Sequence, residues 1–244
     1  MENTGYIALS RQMALWNQMD NVANNMANVN TTGFKSELTL FSEDIAKSKT
    51  ADRPLKDKLS YVHDFGMAIN MESGPIQSTG NTLDVALKGD GFFVVETDQG
   101  EKFTRKGSFM LDADGQLVTN EGNPVLSDAG TPFFFAPNET QINISGDGTV
   151  STENGQIGKM RIVRFDKPDA LKREAAGLFS AEEQPKEVAR PEMVQGALEG
   201  SNVEPILEMT KMIALQRSYQ GVQQMIDTEH ERQKKAIDTF TKPA

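Results

Sequence analysis

The sequence predicts a mixed, mainly β fold: an all-β central domain, meander- or sandwich-like, between N- and C-terminal α-helices that pair as a coiled-coil stem. Three observations predict it. An apolar repeat in steps of three and four runs through the first thirty residues. A second runs through the last forty. Between them, short period-two apolar runs alternate with Gly-containing turns.

The N-terminal repeat comprises Ala8, Gln12, Leu15, Met19, Val22, Met26 and Val29. Apart from Gln12 it is an apolar seam on a helix of about six turns. A second row, Ser10, Ala14, Asn17, Asn21, Asn24 and Asn28, repeats about half a turn away. Asn is a poor helix former, and Glu, Lys and Arg normally occupy a solvated face. From Tyr6 to Phe34 the only charges are Arg11 and Asp20. Amide side chains donate and accept at once, so packed neighbours satisfy them without burying charge. The pattern predicts a helix contacted on both sides, capped by Asn3 or Thr4 and ending between Asn30 and Gly33. Gly33 is assigned a positive φ.

Residues 36–81 read as an extended, polar linker region. At Leu83 the pattern changes: Leu83, Val85 and Leu87 alternate with Asp84, Ala86 and Lys88, and Gly89-Asp90-Gly91 turns the chain. Phe92-Phe93-Val94-Val95 reads as a strand covered on both faces. Asp114-Gly115, Glu121-Gly122, Ala129-Gly130, Asp147-Gly148 and Asn154-Gly155 then punctuate short apolar runs, the signature of many short strands. A helix/loop segment is expected near 169–193, broken by Pro185 and Pro191.

Ser201-Asn202-Val203-Glu204-Pro205 has the form of a helix start. Met212, Leu215, Tyr219, Val222, Ile226, Ala236 and Phe240 fall on the second seam. Unbroken to Phe240, that helix would be roughly 57 Å long. Neither terminal helix has a local partner for its apolar face, so each is expected to pair with the other. The predicted division is 1–35 and 201–244 as stem, 36–81 as linker and 82–200 as outer β domain.

The chain has 244 residues, a formal net charge of −10 and no cysteine. Disulfides, thiolate metal sites and cysteine nucleophiles are excluded. Without a concentrated basic surface, nucleic acid is not an expected partner. No stretch reaches the roughly 18 apolar residues of a membrane span, and Met1-Glu2-Asn3-Thr4 lacks the basic start of a secretory signal. His63 and His230, the two histidines, sit in no catalytic spacing. Asp112-Ala113-Asp114-Gly115 lacks the further oxygen ligands of a calcium loop and reads as a turn. No catalytic, cofactor or metal residue is assigned, and the chain is not expected to be an enzyme.

Four blocks carry a resemblance. They are Asn24-Asn25-Met26-Ala27-Asn28-Val29-Asn30-Thr31-Thr32-Gly33-Phe34-Lys35; Leu83 to Val95; Phe103-Thr104-Arg105-Lys106-Gly107-Ser108-Phe109-Met110-Leu111-Asp112; and Gly196-Ala197-Leu198-Glu199-Gly200-Ser201-Asn202-Val203. In this order they resemble the bacterial flagellar rod and hook protein family. The length and the run Glu199 to Pro205 are most similar to a proximal rod member. A distal rod member, usually somewhat longer, and a hook-type subunit, much longer, are the alternatives. The resemblance implies a structural subunit of the basal-body rod, exported through the flagellar type III apparatus without a cleaved signal, crossing the periplasm and stacking with copies of itself and other rod proteins. It implies no cofactor.

On both arguments the stem and assembly interface is placed on Leu15, Asn17, Met19, Asn21, Val22, Asn24, Asn25, Met26, Asn28, Val29, Gly33 and Phe34. Met212, Leu215, Tyr219, Val222 and Ile226 are its C-terminal members. A reading of another class is an extracellular adhesin whose β domain binds ligand through Phe133-Phe134-Phe135, although a buried strand accounts for that run more simply.

Overall fold

The computed structural model describes residues 2–47, 58–137, 139, 141–167 and 171–241. The chain divides into two compact units, one of residues 1–27, 37–68 and 204–244, the other of residues 28–36 and 69–203.

The first unit contains helix α1 (Glu2–Ala27), strands β1 (Glu37–Lys47) and β2 (Lys58–Ile69, to Ala68 in this unit), and helix α2 (Pro205–Thr241). The helices run antiparallel: Gln12 Nε2 donates to Gln223 Oε1 at 2.6 Å, and Asn25 Nδ2 lies 3.4 Å from Glu208 Oε2. Ala8, Leu15 and Val222 are buried together, with Leu215, Tyr219 and Ile226 packed on them. Both seams therefore face inward. The α2 seam begins one step earlier than expected, at buried Glu208, which continues the three-four spacing. Asn3 and Thr4 fall inside α1 rather than capping it, and the helix stops at Ala27, before the expected Asn30. Ala236 and Phe240 lie outside the residues whose side chains are described.

The stretch read as a linker carries the antiparallel pair β1–β2. Its strands include Leu38-Thr39-Leu40-Phe41 and Tyr61-Val62, β-formers that the surrounding charges obscured. Residues 48–57 lie outside the described chain.

The second unit is built on β4 (Val85–Lys88), β5 (Phe92–Thr97) and β6 (Gly100–Thr104). β5 is central. It pairs with β6 on one edge and with β12 (Ile162–Arg164) on the other. Phe93 and Val95 enter one core cluster with Phe109, Leu117 and Val150, while Phe92 and Val94 enter a second with Phe103, Val163 and Phe179. Period two alone sends successive side chains to opposite faces, and here both faces are covered. Fully burying each such side chain stabilises the unit by about 1.5–3 kcal/mol.

Around this strand lie β3 (Ile76–Ser78), the hairpin β7–β8 (Phe109–Leu111, Leu117–Thr119) and the meander β9–β10–β11 (Asn143–Ile144, Thr149–Thr152, Gly155–Lys159). The segment expected as helix and loop near 169–193 is short strands joined by loops: β13 (Lys172–Arg173), β14 (Leu178–Ser180), β15 (Lys186–Glu187) and β16 (Glu192–Gln195). Among its described residues the helical content is one 3₁₀ turn, Ala175–Gly177. Partner strands already in place decide this: β14 pairs with β6, β15 with β12 and β16 with β4. Finally β17 (Ala197–Glu199) pairs with β3. At the expected turn, Asp112 Oδ1 accepts from Asp114 N and Gln116 N at 2.9 and 2.7 Å, closing the β7–β8 hairpin.

Candidate functional site: a buried clamp and a helix pair

The first site lies within the second unit, where the four sequence blocks converge. Chain turns through Thr31 and Thr32 lead to Gly33, whose φ is +66°. Gly33 N donates to Glu199 O at 2.8 Å. A Cβ on Gly33 would lie 2.7–2.8 Å from backbone atoms of Arg105 and Lys106. Conformation and space therefore both require glycine. Phe34 follows, buried, with the Arg173 guanidinium 4.1 Å from its ring centroid. Arg173 Nη2 also donates to Lys35 O.

Lys35 is the centre. Its side chain is 1% exposed, as are those of Glu199 and Arg105. Lys35 Nζ donates to Glu199 Oε1 at 2.8 Å and to Glu72 O at 2.7 Å. Glu199 Oε1 also accepts from Gly74 N at 2.8 Å, and Oε2 accepts from Arg105 Nε. The remaining guanidinium nitrogens donate to the carbonyls of Leu87 in β4 and of Gly89 and Gly91 in the turn between β4 and β5. One carboxylate thus joins two cations, and the surplus donors end on backbone oxygens. Such saturation is the condition under which buried charge is tolerated. Burial pushes the Lys35 ammonium below its ordinary pKa, while the hydrogen bond and charge of Glu199 pull the other way.

Asn202 completes the clamp. Its Oδ1 accepts from Ser36 N at 2.7 Å, and its Nδ2 donates to Asn70 O and Glu72 O at 2.9 and 3.0 Å. Ser201 Oγ accepts from Val203 N at 3.2 Å. The Ser-Asn pair read as a helix cap is therefore used elsewhere. Sequence reasoning assigned no role to Lys35, Arg105 or Glu199 and gave Asn202 only that of a helix cap, although each stands inside one of the four blocks. The local sequence carries little signal: Arg105, for one, stands between Thr104 and Lys106 and reads as an ordinary exposed cation.

The second site is the helix pair of the first unit. Of the expected interface residues, Leu15, Val22 and Val222 are buried in the pair, and Met19, Met26, Val29, Met212, Leu215, Tyr219 and Ile226 are half-buried. The Asn row is divided. Asn21 is buried with Ala14, Asn28 is half-buried, and Asn17 and Asn24 are exposed. Asn25, on the same flank as Asn21, behaves as a piece of strand. Its Oδ1 accepts from Glu37 N and its Nδ2 donates to Glu37 O, both at 3.0 Å, giving β1 an edge partner. Asn25 Nδ2 also reaches Asn21 Oδ1 at 3.2 Å. Asn21 Nδ2 is buried with no hydrogen-bond partner.

Phe133 and Phe135 are buried in the main β core and Phe134 alone is exposed, so no aromatic patch forms there. Among the described residues no helix is long and apolar enough to cross a membrane.

A strand-built unit pinned by buried charge, and two terminal helices joined by an inward seam, are the parts from which a structural subunit is made. Three protein-family models match: flagella basal body rod protein over residues 6–35, the flagellar hook protein FlgE/F/G D1 domain over 86–152, and flagellar basal body rod FlgEFG protein C-terminal over 194–239. The flagellar basal-body rod protein FlgF of Caulobacter vibrioides is 38% identical over 99% of both chains, and that of Mesorhizobium japonicum 31% over 98% of both. FlgG of Bacillus subtilis is 32% identical, covering 93% of this chain and 94% of its own. The chain belongs to the flagellar basal-body rod protein family, is most like FlgF, and is a structural rod subunit. None of these relatives supports the adhesin reading.

Proposed function

We propose that this chain is a proximal-rod subunit, self-assembling through its terminal helices with copies of itself and other rod proteins into the torque-transmitting shaft and export channel of the flagellum. The observation that supports it most is the full-length similarity to FlgF, covering 99% of both chains. The physical case agrees. A shaft under torsion needs interlocked helices, and contacts that do not close on themselves give a filament. In this reading the two seams form a coiled-coil stem of residues 1–35 and 201–244, with 82–200 as the outer domain and the connecting stretch 36–81 contributing the β1–β2 pair. Asn17 and Asn24, exposed on α1, belong to the assembly surface. The subunit reaches the periplasm by type III export. Electron microscopy of basal bodies purified with a tagged chain should place it in the rod. A deletion strain that still builds complete, rotating flagella would contradict the proposal.

A further inference from the structure

We propose that the buried clamp is a mechanical fastener, in which Glu199 and Asn202 carry tension drawn between the two ends of the chain. The inference rests on the rod-subunit reading for its purpose, because a shaft under torsion needs subunits that do not yield.

Connectivity comes first. The chain passes into the second unit after Ala27 and leaves it for the last time after Val203. Once the helix pair has parted, a pull between the termini therefore arrives at Asn28 and at Val203. Direct bonds join the stretches next to those points. Gly33 N donates to Glu199 O at 2.8 Å, and Asn202 N donates to Phe34 O at 3.3 Å. Ser36 N donates to Asn202 Oδ1 at 2.7 Å, and Lys35 Nζ donates to Glu199 Oε1 at 2.8 Å. Tension crosses the unit here, and the six-stranded sheet built around β5 lies off its path.

Direction decides how that tension is shared. The bonded partners advance together, from Gly33 with Glu199 to Ser36 with Asn202, so the two stretches run the same way. Tension draws the first stretch back towards its N-terminal end and the second forward towards its C-terminal end. The stretches are pulled past one another, and their bonds resist together. Antiparallel stretches held at adjacent ends would instead open one bond at a time.

A third stretch braces the first two. Asn70 N donates to Ser36 O at 2.8 Å. Asn202 Nδ2 donates to Asn70 O and Glu72 O at 2.9 and 3.0 Å, and Lys35 Nζ donates to Glu72 O at 2.7 Å. Arg105 then ties the Glu199 carboxylate to carbonyls of β4 and of the turn after it. The Asn202 amide thus holds all three stretches. A carboxylate or a hydroxyl could not, because neither offers two donors beside an acceptor.

Buried charge suits such a task. Apolar residues of similar volume often give equal or greater equilibrium stability than a buried ion pair. The ion pair adds direction: charge-assisted hydrogen bonds are short, about twice as strong as neutral ones, and weaken steeply when bent. The side chains of Lys35, Arg105 and Glu199 are 1% exposed, so bulk water is out of reach while these bonds are drawn out. Resistance to a pull is a rate, set by what breaks on the way to the transition state rather than by total stability.

The test stretches single full-length chains in optical tweezers, in two geometries. In one the handles are on the two termini. In the other they are on Gln99→Cys and Asn154→Cys, exposed positions in a chain with no cysteine of its own. Asn202→Ala should speed rupture of the second unit about tenfold or more at a given force along the termini, and less than about twofold in the other geometry. Glu199→Gln should show the same contrast. Asn202→Asp keeps the volume and loses both donors, and it takes the place of the alanine variant if that one does not fold. Equal acceleration in both geometries would reduce the clamp to ordinary stabilisation and overturn the inference. So would an unchanged rate along the termini. The measurement needs no assembled rod, so a chain missing from basal bodies would sink the rod-subunit reading and leave the measured clamp standing.

Discussion

Lys35 Nζ stands 2.8 Å from Glu199 Oε1, across 164 residues of sequence, with both side chains 1% exposed. The contact pins the end of the N-terminal signature against the last strand before α2 is reached, and Arg105 shares the same carboxylate. Removing Glu199 leaves two buried cations facing one another. Glu199→Ala should cost about 3–5 kcal/mol. Urea unfolding followed by circular dichroism measures it. A loss below about 1 kcal/mol would mean that the cations find water or another anion.

Gly33→Ala tests the backbone part of the clamp. The left-handed conformation alone costs about 1–2 kcal/mol for a residue with a Cβ. The close approach of Arg105 and Lys106 adds to it. Gly80 has a similar φ of +76°, with open space where a Cβ would stand, so Gly80→Ala isolates the conformational part. The Gly33 variant should be the less stable of the two by at least about 1 kcal/mol. Equal losses would show that the contact yields freely.

Phe34 combines burial with the Arg173 guanidinium 4.1 Å from its ring. Phe34→Leu keeps most of the apolar volume and loses the ring, for an expected cost of about 1–2 kcal/mol. Phe34→Ala should cost about 3–5 kcal/mol. Parallel denaturation curves settle the ordering, and a Leu variant as damaged as the Ala variant would place the weight on the cation–π contact.

Asn25 pairs with the Glu37 backbone inside the helical unit. Asn25→Leu should destabilise that unit by about 2–3 kcal/mol, because the Glu37 N–H and C=O both lose a partner. Trp16 is the only tryptophan and lies in this unit, so its fluorescence reports the change directly. An unchanged transition would show that solvent satisfies Glu37.

Hydrogen bonds from Asn154, Ala136 N and Thr152 hold the half-buried Glu139 carboxyl below its ordinary pKa. A folded-state pKa below the unfolded value means stability that is full above the ordinary carboxylate range and lost as pH falls through the depressed value. The protection factor of the Ala136 amide, its exchange rate relative to the unfolded chain at the same pH, should therefore fall on acidification below that range. Glu139→Gln should flatten this dependence, and an unchanged profile would argue against the assignment.

The sequence by itself determined the helical seams, the buried strand Phe92-Phe93-Val94-Val95 and the glycine at position 33. Each is a local pattern: a period of 3.6 or 2, or a conformation that only glycine adopts cheaply. It also supplied the four family blocks, but as separate words. Only the tertiary structure joined them, because Lys35, Arg105 and Glu199 are linked by distance in space and carry no periodicity. The same limit explains residues 36–81 and 169–193. Their strands form because partners wait on neighbouring edges, and strand preference depends on that context. The Asn row shows both sides of the division. Its composition announced an unusual face, and the fold decided which members turn inward: Asn21 is buried and Asn25 hydrogen-bonds β1, while Asn17 and Asn24 are exposed. Helical phase fixes the angle of each residue, but what stands at that angle is set by another part of the chain.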